Sequence, residues 1–231
     1  MKIVMLNGQN HKGSTYHIGR QIADKIDGNN EIREFFFPRD LNHFCSGCYR
    51  CIEDEKDCPY YDEKKIIVEA VEAADILIVT TPTYCMHVSA PLKAFIDLTF
   101  DYWMSHRPRK CMFSKHAVIV STSAGASPKS AMKDVEDALF YLGVLSIVKY
   151  GIVVQEMNWD GVKESKKVKI ERDTSKIAAK LSKKGKLHVG IKTRFTFNMM
   201  RMMQKNGWGS SPVEKEYWEV NGWLGKNRPW K

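Results

Sequence analysis

Residues 2–15 read Lys-Ile-Val-Met-Leu-Asn-Gly-Gln-Asn-His-Lys-Gly-Ser-Thr. The stretch begins with an apolar run that turns polar at Asn7, which predicts a short buried strand over residues 2–6. A polar loop follows, and isoleucine then recurs at every fourth position, which predicts a helix over residues 15–26. A buried strand that leads through a polar loop into a helix is the repeating unit of an α/β fold.

The same alternation of apolar runs and helical patterns continues to residue 181. It predicts further strands over residues 31–37, 75–80, 117–121 and 145–154. It predicts further helices over residues 63–74, 90–103, 130–142 and 162–181. In the second helix, the side chains expected to face the core are Ile66, Ile67, Ala70 and Val71. The third strand is apolar throughout, as in sheets covered by helices on both faces, so the sequence predicts a doubly wound, five-stranded parallel α/β sheet.

The chain beyond this repeating part has a different composition. We expect one domain over residues 1–184 and a helical, Trp-rich extension over residues 185–231. Residues 192–205 combine basic side chains with Phe and Met in an amphipathic pattern. The tryptophans that follow are Trp208, Trp218, Trp223 and Trp230. Such large rings rarely lie in a mobile tail, so we expect the extension to dock on the core or on a second subunit, with a membrane surface or a partner protein as the alternatives.

The 231 residues carry a net charge of +9, which raises the question of nucleic-acid binding. The excess is concentrated in one late stretch, at Lys163, Lys166, Lys167, Lys169, Arg172, Lys176, Lys180, Lys183, Lys184 and Lys186. No zinc-finger or RNA-recognition motif accompanies these residues. We therefore interpret them as the solvated face of a helix and expect no nucleic-acid partner.

Membrane insertion and secretion are not expected either. The longest apolar runs have the length of a strand, and the N-terminal run turns polar at Asn7, too soon for a signal peptide. We expect a cytoplasmic protein with no transmembrane segment, in a compartment where thiols stay reduced. The six cysteines are then better suited to metal or redox chemistry than to a disulfide framework.

Three polar or small-residue loops follow predicted strands, over residues 8–15, 82–88 and 123–127. Ligands of parallel α/β sheets bind at the carboxyl ends of the strands, where these loops lie. In the first loop, backbone amides and the hydroxyls of Ser14 and Thr15 at a helix N-terminus suit an anion. The loop resembles a P-loop, but Ser14 stands where the triphosphate-binding lysine belongs. A monophosphate therefore fits better than ATP or GTP, and the alternative is a simple capped helix start.

Four of the cysteines form a compact motif, C-x2-C-x2-C-x6-C-P, at Cys45, Cys48, Cys51 and Cys58. Thiolates separated by two residues reach adjacent irons, so the spacing suits an iron–sulfur cluster. Zinc is a second possibility, although zinc sites usually pair their ligands across a longer spacer. Free or transiently paired thiols are the third. Outside the motif, Cys111 is interpreted as a packing residue, whereas Cys85 falls in the second loop.

The second loop also carries a resemblance to a known family. Residues 81–97 read Thr-Pro-Thr-Tyr-Cys-Met-His-Val-Ser-Ala-Pro-Leu-Lys-Ala-Phe-Ile-Asp. Together with the first loop they resemble the NAD(P)H-dependent FMN reductase and iron–sulfur flavoprotein group, over roughly residues 1–142. The resemblance implies a flavodoxin-like fold with strand order 2-1-3-4-5 and FMN at the three loops.

The resemblance also implies a role for individual residues. The residues at the FMN phosphate would be Gln9, His11, Gly13, Ser14 and Thr15. Those beside the isoalloxazine would be Pro82, Thr83, Tyr84, Cys85, Met86 and His87. Those at its pyrimidine edge would be Ser123, Ala124 and Gly125. Gln9-Asn10-His11 replaces the Ser-Pro-Arg common in the group, so His11 or Lys12 would take over the charged phosphate contact.

The function implied is that of an FMN oxidoreductase. Electrons would pass from NAD(P)H or a protein donor to an acceptor of the quinone, flavin or ferredoxin class, and no residue would serve as a catalytic acid or base. A 4Fe–4S cluster at the four-cysteine motif would lie beside FMN, and the protein would be a homo-oligomer, a dimer or a tetramer. The alternatives are a non-enzymatic iron–sulfur flavoprotein electron carrier and, from another class, a nucleic-acid-binding module. His87 would hydrogen-bond near the flavin or be structural.

Overall fold

Five strands of six to eight residues form one parallel sheet in the computed structural model, which describes residues 1–183, 185 and 187–231. The strands are β1 Lys2–Asn7, β2 Glu31–Phe36, β3 Ile76–Pro82, β4 His116–Ser123 and β5 Ser146–Val153. Their order is β2-β1-β3-β4-β5, with every neighbouring pair parallel. The predicted sheet and strand order are confirmed.

Eight α-helices are described around this sheet. They are α1 Ser14–Asp24, α2 Arg50–Glu53, α3 Tyr61–Ala73, α4 Ala90–Asp97, α5 Lys129–Leu142, α6 Glu164–Leu181, α7 Ile191–Asn206 and α8 Pro212–Val220. Helices α1 and α6 pack on one face of the sheet, and α3, α4 and α5 pack on the other. Along β1, the side chains of Ile3 and Met5 pack on the face covered by α1 and α6, whereas Val4 and Leu6 pack on the opposite face. Residues 3–6 of this strand are all apolar because both of its faces are buried there.

Two local expectations were wrong. The helix predicted over residues 90–103 ends at Asp97. The Thr99 hydroxyl donates to the Ile96 carbonyl (2.7 Å), so a carbonyl of the last turn is bound although the helix does not continue. In α3, Ile66 is 53 % exposed, and the fully buried position is taken by Lys64. The cysteine segment contains α2 and a short 3₁₀ turn at Glu55–Asp57.

Helices α7 and α8 form an aromatic cluster together with residues that precede β4. Its buried members are Met104, Phe113, Phe197, Met200, Trp218 and Trp223. Trp230 packs against the cluster, whereas Trp208 is 57 % exposed. A helix over residues 192–205 was predicted, and α7 covers it. The division at residue 184 falls on a residue outside the described part of the chain, and the two-domain organisation stays a prediction.

The basic stretch lies largely on α6. This helix buries only Ile170, Thr174, Ala178 and Leu181, so its basic side chains face solvent or are half-buried, as expected for a solvated helix face. Lys184 and Lys186 lie outside the described residues. Among the helices that the structure describes, none combines the length and apolar character needed to cross a membrane.

Candidate functional site

The first loop is drawn tightly against the carboxyl end of β3. The Gly8 amide donates to the Thr80 carbonyl (2.7 Å), and the Ser89 hydroxyl donates to the Gly8 carbonyl (2.6 Å). A β-carbon at Gly8 would lie 2.5 Å from Ser89 Oγ, closer than such atoms approach. Glycine is therefore required at this position by the close contact, and the sequence did not point to Ser89.

The first turn of α1 offers unpaired donors. The helix has no side-chain cap and no acidic residue in its first turn. The Ser14 side chain is buried, and its Oγ has no hydrogen-bond partner in the described part of the chain. A β-carbon at Gly13 would lie 2.9 Å from Gln9 Nε2 and 3.1 Å from His11 Nε2, so both side chains fold over this glycine. The first amides of a helix have no partner within it, and beside an unpaired hydroxyl they fit an anionic group such as the FMN phosphate.

Thr15 differs from Ser14. Its hydroxyl lies 2.8 Å from the Thr122 hydroxyl at the end of β4, in a buried hydrogen bond. This bond ties the start of α1 to the sheet. Thr15 therefore already has a protein partner, whereas Ser14 does not.

The second loop contains a strained turn. Tyr84 and His87 exchange backbone hydrogen bonds of 3.2 and 3.0 Å, and the two residues between them, Cys85 and Met86, have φ values of 46° and 72°. Residues other than glycine rarely adopt positive φ, because this conformation costs about 1–3 kcal/mol for each residue. Such residues cluster at functional sites. The Tyr84 hydroxyl donates to Gln9 Oε1 (3.3 Å), which connects this loop to the first.

His87 is anchored from outside the loop. Its Nδ1 lies 3.0 Å from Asp134 Oδ2 on α5, and the same oxygen accepts the Val88 amide (3.1 Å). The imidazole remains largely exposed. The histidine therefore has a structural partner, and Asp134, which no sequence pattern indicated, fixes the end of the loop.

The third loop adjoins the second through the sheet. The Thr83 amide donates to the Thr122 carbonyl (2.8 Å), and the buried Ser123 hydroxyl donates to the Ala126 carbonyl. Ala124 and Gly125 are exposed, and a β-carbon at Gly125 would meet no atom of the described residues within 4 Å. Space is therefore open beside this loop. The structure thus brings the three predicted loops to the carboxyl ends of β1, β3 and β4.

The four-cysteine motif surrounds a single cavity of about 310 Å³. All four motif cysteines line it and are free thiols, two exposed and two half-buried. The aromatic side chains in its wall are Tyr49, Tyr60, Phe100 and Trp103. Within the described residues, no three His, Cys, Asp or Glu side chains are already gathered closely enough to hold one metal ion. An all-thiol donor set around one cavity fits an iron–sulfur cluster in chemistry, and the cysteine segment leaves the sheet at the carboxyl end of β2.

The thiols of this cavity differ in environment. Burial raises the pKa of Cys51 to about 11, with a smaller contribution from the nearby Asp101 carboxylate. Cys48 is exposed, and the backbone amide of Arg50 lowers the pKa of its thiol. A bound metal would have to offset the cost of ionising Cys51.

Two arginines hold the cysteine segment in place. Arg107 donates to the Cys51 carbonyl, and Arg109 pairs with Glu55 in the 3₁₀ turn. The Arg109 guanidinium also lies 3.1 Å from the Glu72 carboxylate. Both arginines belong to the segment after α4, which the sequence assigned in part to a longer helix.

The C-terminal helices in turn hold the arginine segment. His106 Nδ1 lies 2.6 Å from Glu214 Oε1, and the Trp218 indole donates to the His106 carbonyl (2.6 Å). The Tyr217 hydroxyl donates to the Pro108 carbonyl (2.7 Å). Helix α8 also packs directly against α2, which carries Cys51. The extension is therefore connected to the cysteine cavity through two routes.

Comparison with known proteins gives a consistent result. An iron–sulfur flavoprotein of Archaeoglobus fulgidus is 22% identical over 197 residues, which is 84% of this chain and 86% of that protein. Among solved structures, an FMN-dependent NADH-azoreductase from Bacillus anthracis, in complex with FMN, gives a TM-score of 0.60 at 11% identity, covering 79% of this chain and all of that one.

An NAD(P)H:quinone oxidoreductase from Methanothermobacter marburgensis gives a TM-score of 0.54 at 13% identity, covering 77% of this chain and 96% of that one. At these identities the structural matches establish the fold. Residues 1–158 match the family described as NADPH-dependent FMN reductase, and this range contains all three loops and the cysteine motif. The chain belongs to the NADPH-dependent FMN reductase family.

Proposed function

We propose that this protein is an FMN-dependent oxidoreductase that takes electrons from NAD(P)H or a protein donor and passes them to a small-molecule or protein acceptor. The observation that carries the proposal is the buried, unpartnered Ser14 hydroxyl at the uncapped start of α1. A buried hydroxyl without a partner costs about 1–3 kcal/mol, and a phosphate oxygen would satisfy it. Bound FMN would supply the hydride and electron chemistry of its flavin ring.

The side chains of the three loops would bind and orient the flavin. In this proposal the phosphate is held by Gln9, His11, Gly13, Ser14 and Thr15. The ring lies against Pro82, Thr83, Tyr84, Cys85, Met86 and His87, and its polar edge meets Ser123, Ala124 and Gly125. Tyr84 and Met86 are about half exposed, and an apolar ring would cover them. No residue is proposed as a general acid or base.

The proposal extends to a 4Fe–4S cluster held by Cys45, Cys48, Cys51 and Cys58. Its support is the single cavity that all four thiols line, the two-residue spacing between three of them, and the name of the Archaeoglobus relative. Such a cluster would exchange single electrons. The same cavity favours the second candidate function, a non-enzymatic carrier that passes electrons between partner proteins.

Steady-state assays separate the two candidates. For an oxidoreductase we expect oxidation of NADH or NADPH with a quinone, free flavin or ferredoxin as the acceptor. A carrier would show no turnover with either nicotinamide but rapid reduction by reduced ferredoxin. Protein prepared with ample FMN that stays colourless and does not quench flavin fluorescence would contradict both.

The cluster is tested by replacing one ligand. In anaerobically purified Cys51→Ser protein we expect iron and acid-labile sulfide per chain to fall to less than half of the wild-type content, because one of four ligands is lost. Cys111→Ser is the matched control, since Cys111 is also half-buried but does not line the cavity. It should keep the wild-type iron and sulfide. Wild-type protein that binds zinc without sulfide, or no metal at all, would overturn the cluster.

A further inference from the structure

The wall of the cysteine cavity contains a buried positive charge. Lys64, in the first turn of α3, lines the cavity together with the four cysteines, yet its side chain is only 1% exposed. Its Nζ lies 3.1 Å from Asp101 Oδ1 and 3.2 Å from the Leu98 carbonyl oxygen. The ammonium also lies 5.1 Å from the centre of the Tyr102 ring. A lysine is almost never buried to this extent without a specific partner.

Only one of the two carboxylate oxygens of Asp101 bonds Lys64. Asp101 is fully buried. Its Oδ2 has no hydrogen-bond partner among residues 1–183, 185 and 187–231, and Arg107 Nη2 lies 4.0 Å away. Two cations therefore flank one carboxylate, so Lys64, Asp101 and Arg107 together carry one net positive charge. Asp97, an acidic residue of the cavity wall, is paired with Lys93. Burying an ion pair is often no better for stability than burying apolar side chains of the same size. Fold stability alone is therefore a weak explanation for a lysine here.

The position of Lys64 in the wall of the cysteine cavity points to an additional role for its charge. We propose that Lys64 is the charge-compensating residue of the cysteine cavity, where its buried ammonium offsets the negative charge of a thiolate-bound cluster and favours its reduced state. The inference rests on the proposed cluster. Four thiolates bring more negative charge than the iron–sulfur core neutralises, and each electron taken up adds one further negative charge. A fixed cation nearby therefore stabilises the reduced form, because net charge and burial set the potential of such centres.

Substituting either residue of this ion pair should shift the midpoint potential of the cluster, and the two shifts should have opposite directions. Lys64→Met removes the cation and leaves Asp101, so the ratio of reduced to oxidised cluster at a fixed potential should fall by about tenfold, a shift of about 59 mV for a one-electron couple. Asp101→Asn removes the anion and leaves Lys64, so the midpoint potential should move upward instead. Both variants break the same contact. Loss of structure alone would not shift the two potentials in opposite directions.

The measurement is a dithionite titration of anaerobically purified holoprotein, with the cluster followed by electron paramagnetic resonance and the flavin by absorbance. Lys115→Met is the matched control, because Lys115 is also buried but bonds the Glu72 and Ala74 carbonyls and does not line the cavity. It should lose stability in urea without a change in cluster potential. Lys64→Arg should stay close to wild type because it keeps the charge.

Each outcome decides the inference. Cluster potentials that do not move, or that fall in both Lys64→Met and Asp101→Asn, would overturn the role of Lys64 while leaving the cluster in place. Wild-type protein without iron and sulfide would overturn the cluster and the inference together. If Lys64→Met does not fold, the direction of the shift in Asp101→Asn decides alone.

Discussion

Replacing Ser14 with alanine is expected to raise the dissociation constant for FMN by about ten- to hundredfold. A hydrogen bond to a charged group contributes about 1.5–3 kcal/mol, and each 1.4 kcal/mol is a factor of about ten in affinity. The Ser14 hydroxyl has no partner among the residues that the structure describes, so the phosphate would be the group that it binds. Flavin-free protein should be as stable as wild type, or more stable by up to about 1 kcal/mol, because the substitution removes an unsatisfied buried hydroxyl.

The opposite signs of these two effects make the experiment decisive. Quenching of FMN fluorescence measures affinity, and urea unfolding of the flavin-free protein measures stability. Ser165→Ala is the matched control, since Ser165 lies in the first turn of α6 and is exposed. It should leave FMN binding unchanged. Equal FMN affinity in Ser14→Ala and wild-type protein would place the phosphate elsewhere, whereas a large loss of flavin-free stability would show that Ser14 has a structural partner.

The strands and helices of the sheet were predictable because their patterns depend on residues that are close together in the sequence. Strands buried on both faces are apolar throughout, and helices with one buried stripe repeat every three to four residues. The first pattern located the central strands β1, β3 and β4, and the second located the helices of the core, with errors mainly at their ends. The first loop was predictable for the same reason. Unpaired amides at a helix N-terminus follow from the strand–loop–helix order, and Ser14 is the first residue of that helix.

Partners that are distant in sequence were not predictable. Asp134, which anchors His87, lies 47 residues away from it, and Asp101 lies 37 residues from Lys64. Lys64 occurs one turn before the buried Ile67, so the helical period was compatible with burial. Only the carboxylate brought in by the segment after α4 makes that burial tolerable, because an unpaired buried charge is very costly. Without that partner, the sequence favoured Ile66 as the buried side chain.

The C-terminal cluster shows the same limit. Its tryptophans indicated a packed extension, and the structure shows which of them are buried. Trp218 is fully buried, whereas Trp208 is exposed. The difference depends on the loop around His106, which receives the Trp218 hydrogen bond from 112 residues away. A composition rule counts both tryptophans alike, because it contains no information on that loop.

Replacing Trp218 with alanine is therefore expected to lower the free energy of unfolding by about 3–5 kcal/mol, the usual cost of deleting a large buried ring. Trp218 lies 4.9 Å from Phe197 and 5.6 Å from Trp223, measured between ring centres, so its loss opens a cavity within the cluster. It also removes the 2.6 Å hydrogen bond to the His106 carbonyl. Urea unfolding followed by circular dichroism measures the change, and Trp208→Ala should alter stability by less than about 0.5 kcal/mol.

The Trp218→Ala substitution should also change the accessibility of Cys51 in the cysteine cavity. The His106 loop continues into Arg107, which donates to the Cys51 carbonyl, so loosening the loop should free the half-buried Cys51. In metal-free protein under native conditions, we expect a thiol reagent to modify Cys51 faster in Trp218→Ala than in Trp208→Ala. A large loss of stability with no change in Cys51 reactivity would show that the extension stabilises the fold without supporting the cavity. Faster modification in both variants would contradict the route through His106, because Trp208 makes no part of it.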